Sequence, residues 1–156
     1  MTHNDILRHL RDLFGFTDSK MIAIFSLADH LVTREQIKDW FKDEDDPSFQ
    51  SCSDPQLAFF LNGLIIDRRG RKEGQQPEPE PQLTQNIIFK KLRIALDLKA
   101  DDIVNILALT GLRINKQELS AFFRKPGHKH YRACKDPILL KFLEGVKQKN
   151  DSALTR

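Results

Sequence analysis

Cysteine is scarce in this chain: two residues in 156. That is too few for the disulfide framework that holds many small secreted domains together, and a reducing cytoplasm is the expected compartment. Long apolar runs are missing too. None approaches the ~20 residues that a membrane-spanning helix needs, so no membrane partner is expected. The opening stretch MTHNDILRHLRDLFGF has no basic segment leading into an apolar one, and a secretory signal is not expected. There is no phosphate-cradling glycine loop, no nucleophile elbow and no paired-histidine metal helix, which argues against an enzyme and against a cofactor. Nor is there a run of alternating strand residues. What remains is 40% hydrophobic and 30% charged, a globular composition with a net charge of only +3.

The chain does contain a near-copy of itself. CSDPQLAFFLNG begins at Cys52 and CKDPILLKFLEG begins at Cys134, 82 positions later. The same register runs without a gap from about Asn4 to Leu64. Asn4, Ile6, Leu10 and Arg11 meet Asn86, Ile88, Leu92 and Arg93; Ile24, Leu27 and Phe41 meet Ile106, Leu109 and Phe123. Trp40 pairs with Phe122 and Phe49 with Tyr131. Matches that join apolar, capping and cysteine positions in one register indicate an internal duplication. The expected organisation is a first repeat at 1–67, a flexible linker at 68–85, a second repeat at 86–150 and a tail at 151–156. The linker is rich in Gly, Gln, Glu and Pro, and its PEPEP favours an extended polyproline geometry.

Each copy reads as about four helices, giving an all-α protein of two homologous modules. Ile6, Leu7, Leu10, Leu13 and Phe14 recur at helical spacing, as do Ile88, Phe89, Leu92, Ala95 and Leu96. Second helices are expected at Ser19–Ala28 and Asp101–Thr110. Thr33 followed by Gln36, and Asn115 followed by Glu118, are capping boxes that start the third helices. The fourth helix of each copy is expected to start at Asp54-Pro55 and Asp136-Pro137. There the Asp would accept from free backbone N–H groups, and Pro has none to leave unsatisfied.

Most of the chemistry-bearing residues have a plain structural reading. Leu57, Phe60, Leu61 and Leu64, like Leu139, Phe142, Leu143 and Val146, make a core stripe. Gly63 and Gly145 either end a helix or admit a close backbone. Cys52 and Cys134 are expected to be buried thiols. His128, His130 and Cys134 match no strong zinc spacing, and the first copy has Asp46 and Ser48 where the histidines stand, so no metal site is expected. The DEDD run at Asp43–Asp46 reads as a solvated loop.

Charge separates the copies. Residues 1–67 carry 6 Lys/Arg against 12 Asp/Glu, whereas residues 83–156 carry 15 against 7, a net −6 and +8. The contrast peaks before the repeated cysteines, where KDEDDPSFQSCSD faces RKPGHKHYRACKD. Arg124, Lys125, His128, Lys129, His130, Arg132 and Lys135 surround Tyr131, a set suited to neutralising phosphates while the ring stacks on a base. Arg68, Arg69, Arg71 and Lys72 form a second basic cluster. RNA or another nucleic acid is therefore the leading partner. The alternative is a protein-interaction or self-associating adaptor that pairs the acidic copy with the basic one. A DNA-reading helix-turn-helix is not expected: with Gly111 at the turn, Leu107 stands where a small residue is needed, and Gln117 and Ser120 where apolar ones are.

NDILRHLRDLFGF with NIIFKKLRIALDL, FQSCSDPQLAFFLNG, and LSAFFRKPGHKHYRACKDPILLKFLEG together resemble the YehS-like family of bacterial tandem-repeat proteins, a domain of unknown function carried twice. The resemblance covers Asn4 to Lys147. It implies a small, soluble bacterial protein and brings with it no activity, cofactor or catalytic residue.

Overall fold

A computed structural model describes residues 1–74 and 76–154, and among them there are eight helices and no strand. The chain divides into two compact units, with the break between Leu83 and Thr84. The first holds α1 (His3–Phe14), α2 (Asp18–Leu27), α3 (Arg34–Trp40) and α4 (Asp54–Arg69). The second holds α5 (Gln85–Ala95), α6 (Ala100–Leu109), α7 (Lys116–Ala121) and α8 (Asp136–Leu154). Within the first unit α2 packs on α3 and α4, and α1 on α4. Within the second, α6 packs on α7 and α8, and α5 on α8.

Local chemistry sets the helix ends. The hydroxyl of Thr2 accepts from the Asp5 N–H and the Asp5 carboxylate accepts from the Thr2 N–H, closing a capping box. The boxes at Thr33/Gln36 and Asn115/Glu118 form as the sequence indicates. Thr17 caps α2 by accepting from the Lys20 N–H, and Lys99 donates its N–H to Asp102, so α2 and α6 each begin one residue earlier than the apolar pattern suggests. At the exits of α1 and α5, Gly15 (φ 65°) and Asp97 (φ 52°) occupy equivalent left-handed positions. The next exits exchange the residues: Asp29 (φ 59°) in the first copy, Gly111 (φ 84°) in the second. The duplication kept the backbone reversal while changing the residue that makes it.

The interior of each unit is the repeated stripe. Leu57, Phe60, Leu61 and Leu64 are buried, as are Leu139, Phe142, Leu143 and Val146. Phe25 lies between Trp40 (5.5 Å between ring centroids) and Phe60 (5.3 Å), and Phe89 between Phe122 (6.2 Å) and Phe142 (4.9 Å). Gly63 and Gly145 are mid-helix contact points, not helix ends. A Cβ on Gly63 would sit 1.9 Å from the Ile24 carbonyl oxygen, and one on Gly145 2.4 Å from that of Ile106. Only glycine lets α2 and α6 lie so close to α4 and α8.

Several element boundaries differ from the sequence reading. α4 continues to Arg69, so Arg68 and Arg69 are in a final helical turn, where cations suit the carbonyl end of the helix. α5 starts at Gln85 behind its Thr84 cap. α8 runs through 150 to Leu154, because nothing after Gly145 in that stretch is a Gly or Pro that would break it. Gln75 in the connecting segment, and Thr155 and Arg156 in the tail, lie outside the described residues.

Candidate nucleic-acid interface

Each copy is organised around one buried asparagine on its first helix. The Nδ2 of Asn4 donates to the carbonyls of Trp40 and Gln50, both at 2.9 Å, and its Oδ1 accepts from the Cys52 N–H at 2.9 Å. Asn86 does the same with Phe122 (3.0 Å), Arg132 (2.8 Å) and Cys134 (2.9 Å). All three partners are displaced by 82 residues. The clamp joins the end of the third helix to the loop that leads into the fourth, and so fixes both ends of that loop. It also explains the repeated cysteine: its N–H feeds the asparagine while its thiol is buried, and burial pushes both thiols up to about 12. A buried thiol so disfavoured from ionising is a poor nucleophile at neutral pH.

The rest of the Cys-x-Asp-Pro motif corrects the sequence reading. Ser53, not Asp54, caps α4, exchanging hydrogen bonds with Gln56. The Asp54 carboxylate instead accepts from the His3 ring and from the Leu83 N–H at 3.1 Å. Those donors hold its pKa below the ordinary carboxylate value, the His3 bond first. In the second copy Gln85, the counterpart of His3, donates to Asp136.

The clamped loop has one shape in two chemistries. In the first copy the N–H of Asp46 bonds the carbonyl of Asp43, Phe49 bonds Asp46, and Gln50 bonds Asp39. In the second, His128 bonds Lys125, Tyr131 bonds His128, and Arg132 bonds Ala121. The Asp46 side chain accepts from the Ser48 N–H, and His128 Nδ1 accepts from the His130 N–H at 3.0 Å. His128 is thus a turn-former in the place of Asp46, and its ring lies 5.6 Å from that of His130.

Tyr131 projects from this scaffold half-buried, with no hydrogen bond to its hydroxyl among the described residues. It stands between two depressions. One, of about 570 Å³, is lined by Thr84, Asn86, Cys134, Lys135 and Asp136 among others. The other, of about 150 Å³, is lined by Ile87, Lys90, Phe123, Arg124 and Lys125. The side chains of Lys90, Arg124, Lys125, Lys129 and Lys135 are exposed and have no carboxylate partner among the described residues. In the first copy, Arg8, Arg11, Lys20 and Lys42 are each paired with an aspartate. Four of the second copy's cations, Lys90, Arg124, Lys125 and Lys135, line the two depressions beside one ring.

The remaining sequence-nominated cations divide. Arg132 lies over the Phe122 ring at 5.3 Å and is exposed. Arg68, Arg69, Arg71 and Lys72 belong to the first unit. There Arg68 lies over Phe14 at 4.9 Å, and Arg71 donates to the Leu27 carbonyl at 2.7 Å beside Asp29. Arg71 is therefore engaged in holding the end of α2. Sequence reasoning missed Ile87 and Lys90, and for Phe123 it favoured packing over base stacking. Lys90 was findable as the aligned counterpart of Arg8, but its nearness to Tyr131 depends on tertiary packing.

No group of three or more metal-ligating side chains occurs among the described residues, and no helix there is long and apolar enough to cross a membrane. A family profile described as "Protein of unknown function (DUF1456)" matches residues 3–70 and again 85–150. The Escherichia coli (strain K12) protein called "Uncharacterized protein YehS" is 42% identical over 147 residues, covering 94% of this chain and 94% of that one. No solved structure matches.

Proposed function

The chain belongs to the DUF1456 family and carries its domain twice, and we propose that the second copy is a non-enzymatic module that binds single-stranded nucleic acid. One observation carries this reading: Lys90, Arg124, Lys125 and Lys135, without carboxylate partners among the described residues, line the two depressions that flank Tyr131. Cations whose charge is not spent on a neighbour are available to phosphates. A half-buried aromatic ring set among them offers a base a face to stack on, which a mere solubilising patch would not need. Tyr131, Arg124 and Lys125 sit on a loop fixed at its ends by Asn86, and Lys90 on helix α5 beside it, so little ordering is left to do on binding.

The test is binding of a fluorescein-labelled oligo(U) strand, followed by anisotropy, to the whole chain and its variants. Arg124→Ala and Lys125→Ala should each weaken binding severalfold whatever the base sequence. Lys38→Ala, which removes an exposed cation from the first copy, should leave it unchanged. Equal effects from all three, or no binding at low salt, would overturn the reading. An oligo(dT) arm separates RNA from DNA. Salt-reversible self-association in sedimentation, without oligonucleotide binding, would assign the charge contrast to pairing between acidic and basic copies instead.

A further inference from the structure

Resting on that reading, we infer that the narrow cleft between α5 and the loop after α7 receives one base of the bound strand, with Ile87, Phe123 and Tyr131 as its walls and Lys90, Arg124 and Lys125 around its mouth. Its volume of about 150 Å³ decides what it can take. Sites for whole small molecules run to ~300–1,000 Å³, so this one fits a single ring system whose remainder lies outside. Its lining combines apolar and aromatic side chains with cations that have no carboxylate partner among the described residues, which matches a flat base joined to a phosphate. On the far side of Tyr131 the wider depression of about 570 Å³, bearing Lys135, leaves room for the strand to continue.

In the first copy a bridge ties the corresponding helix and loop together. There Arg8, the counterpart of Lys90, donates to the Asp5 carboxylate at 3.1 Å and to the Lys42 carbonyl at 2.7 Å, bridging the first helix to the end of the third. In the second copy Ile87 replaces Asp5, Lys90 replaces Arg8 and Pro126 replaces Glu44. The bridge has lost its acceptor carboxylate and its forked donor; a lysine ammonium on its flexible stem lacks the rigid planar fork of a guanidinium. The ring changes as well, from Phe49 to Tyr131. Loss of the bridge and gain of unpaired cations therefore coincide at the cleft of the second copy.

The decisive variant restores the bridge: Ile87→Asp with Lys90→Arg. Oligo(U) affinity is compared in the whole chain at low salt and at about 1 M salt, where phosphate attraction is largely screened. The bridged variant should bind at least tenfold more weakly, and the deficit should persist at high salt, because a blocked cleft removes stacking and not only charge. Helix content by circular dichroism should be unchanged. Should that variant misfold, Tyr131 supplies a second route. Tyr131→Phe should stay within about twofold of the native chain, whereas Tyr131→Ala should lose roughly five- to a hundredfold, the range set by one stacked base. Photo-crosslinking of a 5-iodouridine strand to the native chain should map to Tyr131 or Phe123. A native chain that binds no strand overturns the parent reading. A duplex held as tightly as a single strand overturns the parent reading too, whereas a native chain that binds single strands but with crosslinks elsewhere, or a bridged variant equal to native, overturns the cleft alone.

Discussion

Replacing Asn4 by alanine tests the packing logic most sharply, because one side chain satisfies three backbone groups. The Trp40 and Gln50 carbonyls and the Cys52 N–H would all lose their partner. A buried partner left unpaired costs ~1–3 kcal/mol, whereas a partner that can turn to water loses only the ~1 kcal/mol net value of its hydrogen bond. Gln50 is exposed and its carbonyl can turn to water, whereas Trp40 and Cys52 are buried. A total near 4 kcal/mol follows, against the ~4–12 kcal/mol expected for a unit of this size. Trp40 is the single tryptophan and is 2% exposed, so urea unfolding followed by its fluorescence reads this unit directly. Asn4→Ala should lower the midpoint by a third or more of its native value. A loss below about 1 kcal/mol would refute the claim that the clamp holds the loop, since a single ordinary hydrogen bond would account for it. Asn86→Ala should show a similar loss by circular dichroism and also weaken strand binding, because the basic loop loses its anchor.

Other consequences are quickly checked. Gly63→Ala should destabilise by about 3 kcal/mol or more, and Gly145→Ala by somewhat less, because the added methyl overlaps a helix carbonyl more deeply at the first site; thermal melts that leave both unchanged would contradict the close helix contacts. Cys52 and Cys134, with pKa values pushed up to about 12, should resist thiol reagents at pH 8 in the native chain and react fully in urea. Asp54 is held below its unfolded value of ~3.9, so its stabilising contribution is complete above about pH 4 and is lost as pH falls through the lower folded value. Asp54→Asn should flatten that acid limb in urea midpoints taken between pH 6 and 3.

The helical fold was legible because a gapless 82-residue register exposed every core position twice. Apolar stripes such as Leu57–Leu64 and capping pairs such as Thr33/Gln36 act locally, and sequence spacing carries local effects directly. The asparagine clamp was visible only as an identity between Asn4 and Asn86. Its meaning needs three partners 36 to 48 residues away, which no periodicity encodes. The Cys-x-Asp-Pro motif was read as a helix start, and α4 does begin at Asp54; the capping side chain is that of Ser53, however, and the Asp54 carboxylate goes to His3 and Leu83. At the candidate interface the cations and Tyr131 were readable from composition. The cleft was not: it arises where Ile87 and Lys90, on another helix, come beside the loop.

The most direct measurement of the central claim is the salt dependence of oligo(U) binding by the whole native chain. If Lys90, Arg124, Lys125 and Lys135 meet phosphates, log K should fall with log salt at a slope near −3, from ~0.7 counterions released per contact on a single strand. An affinity insensitive to salt, or no measurable binding at low salt, would contradict it.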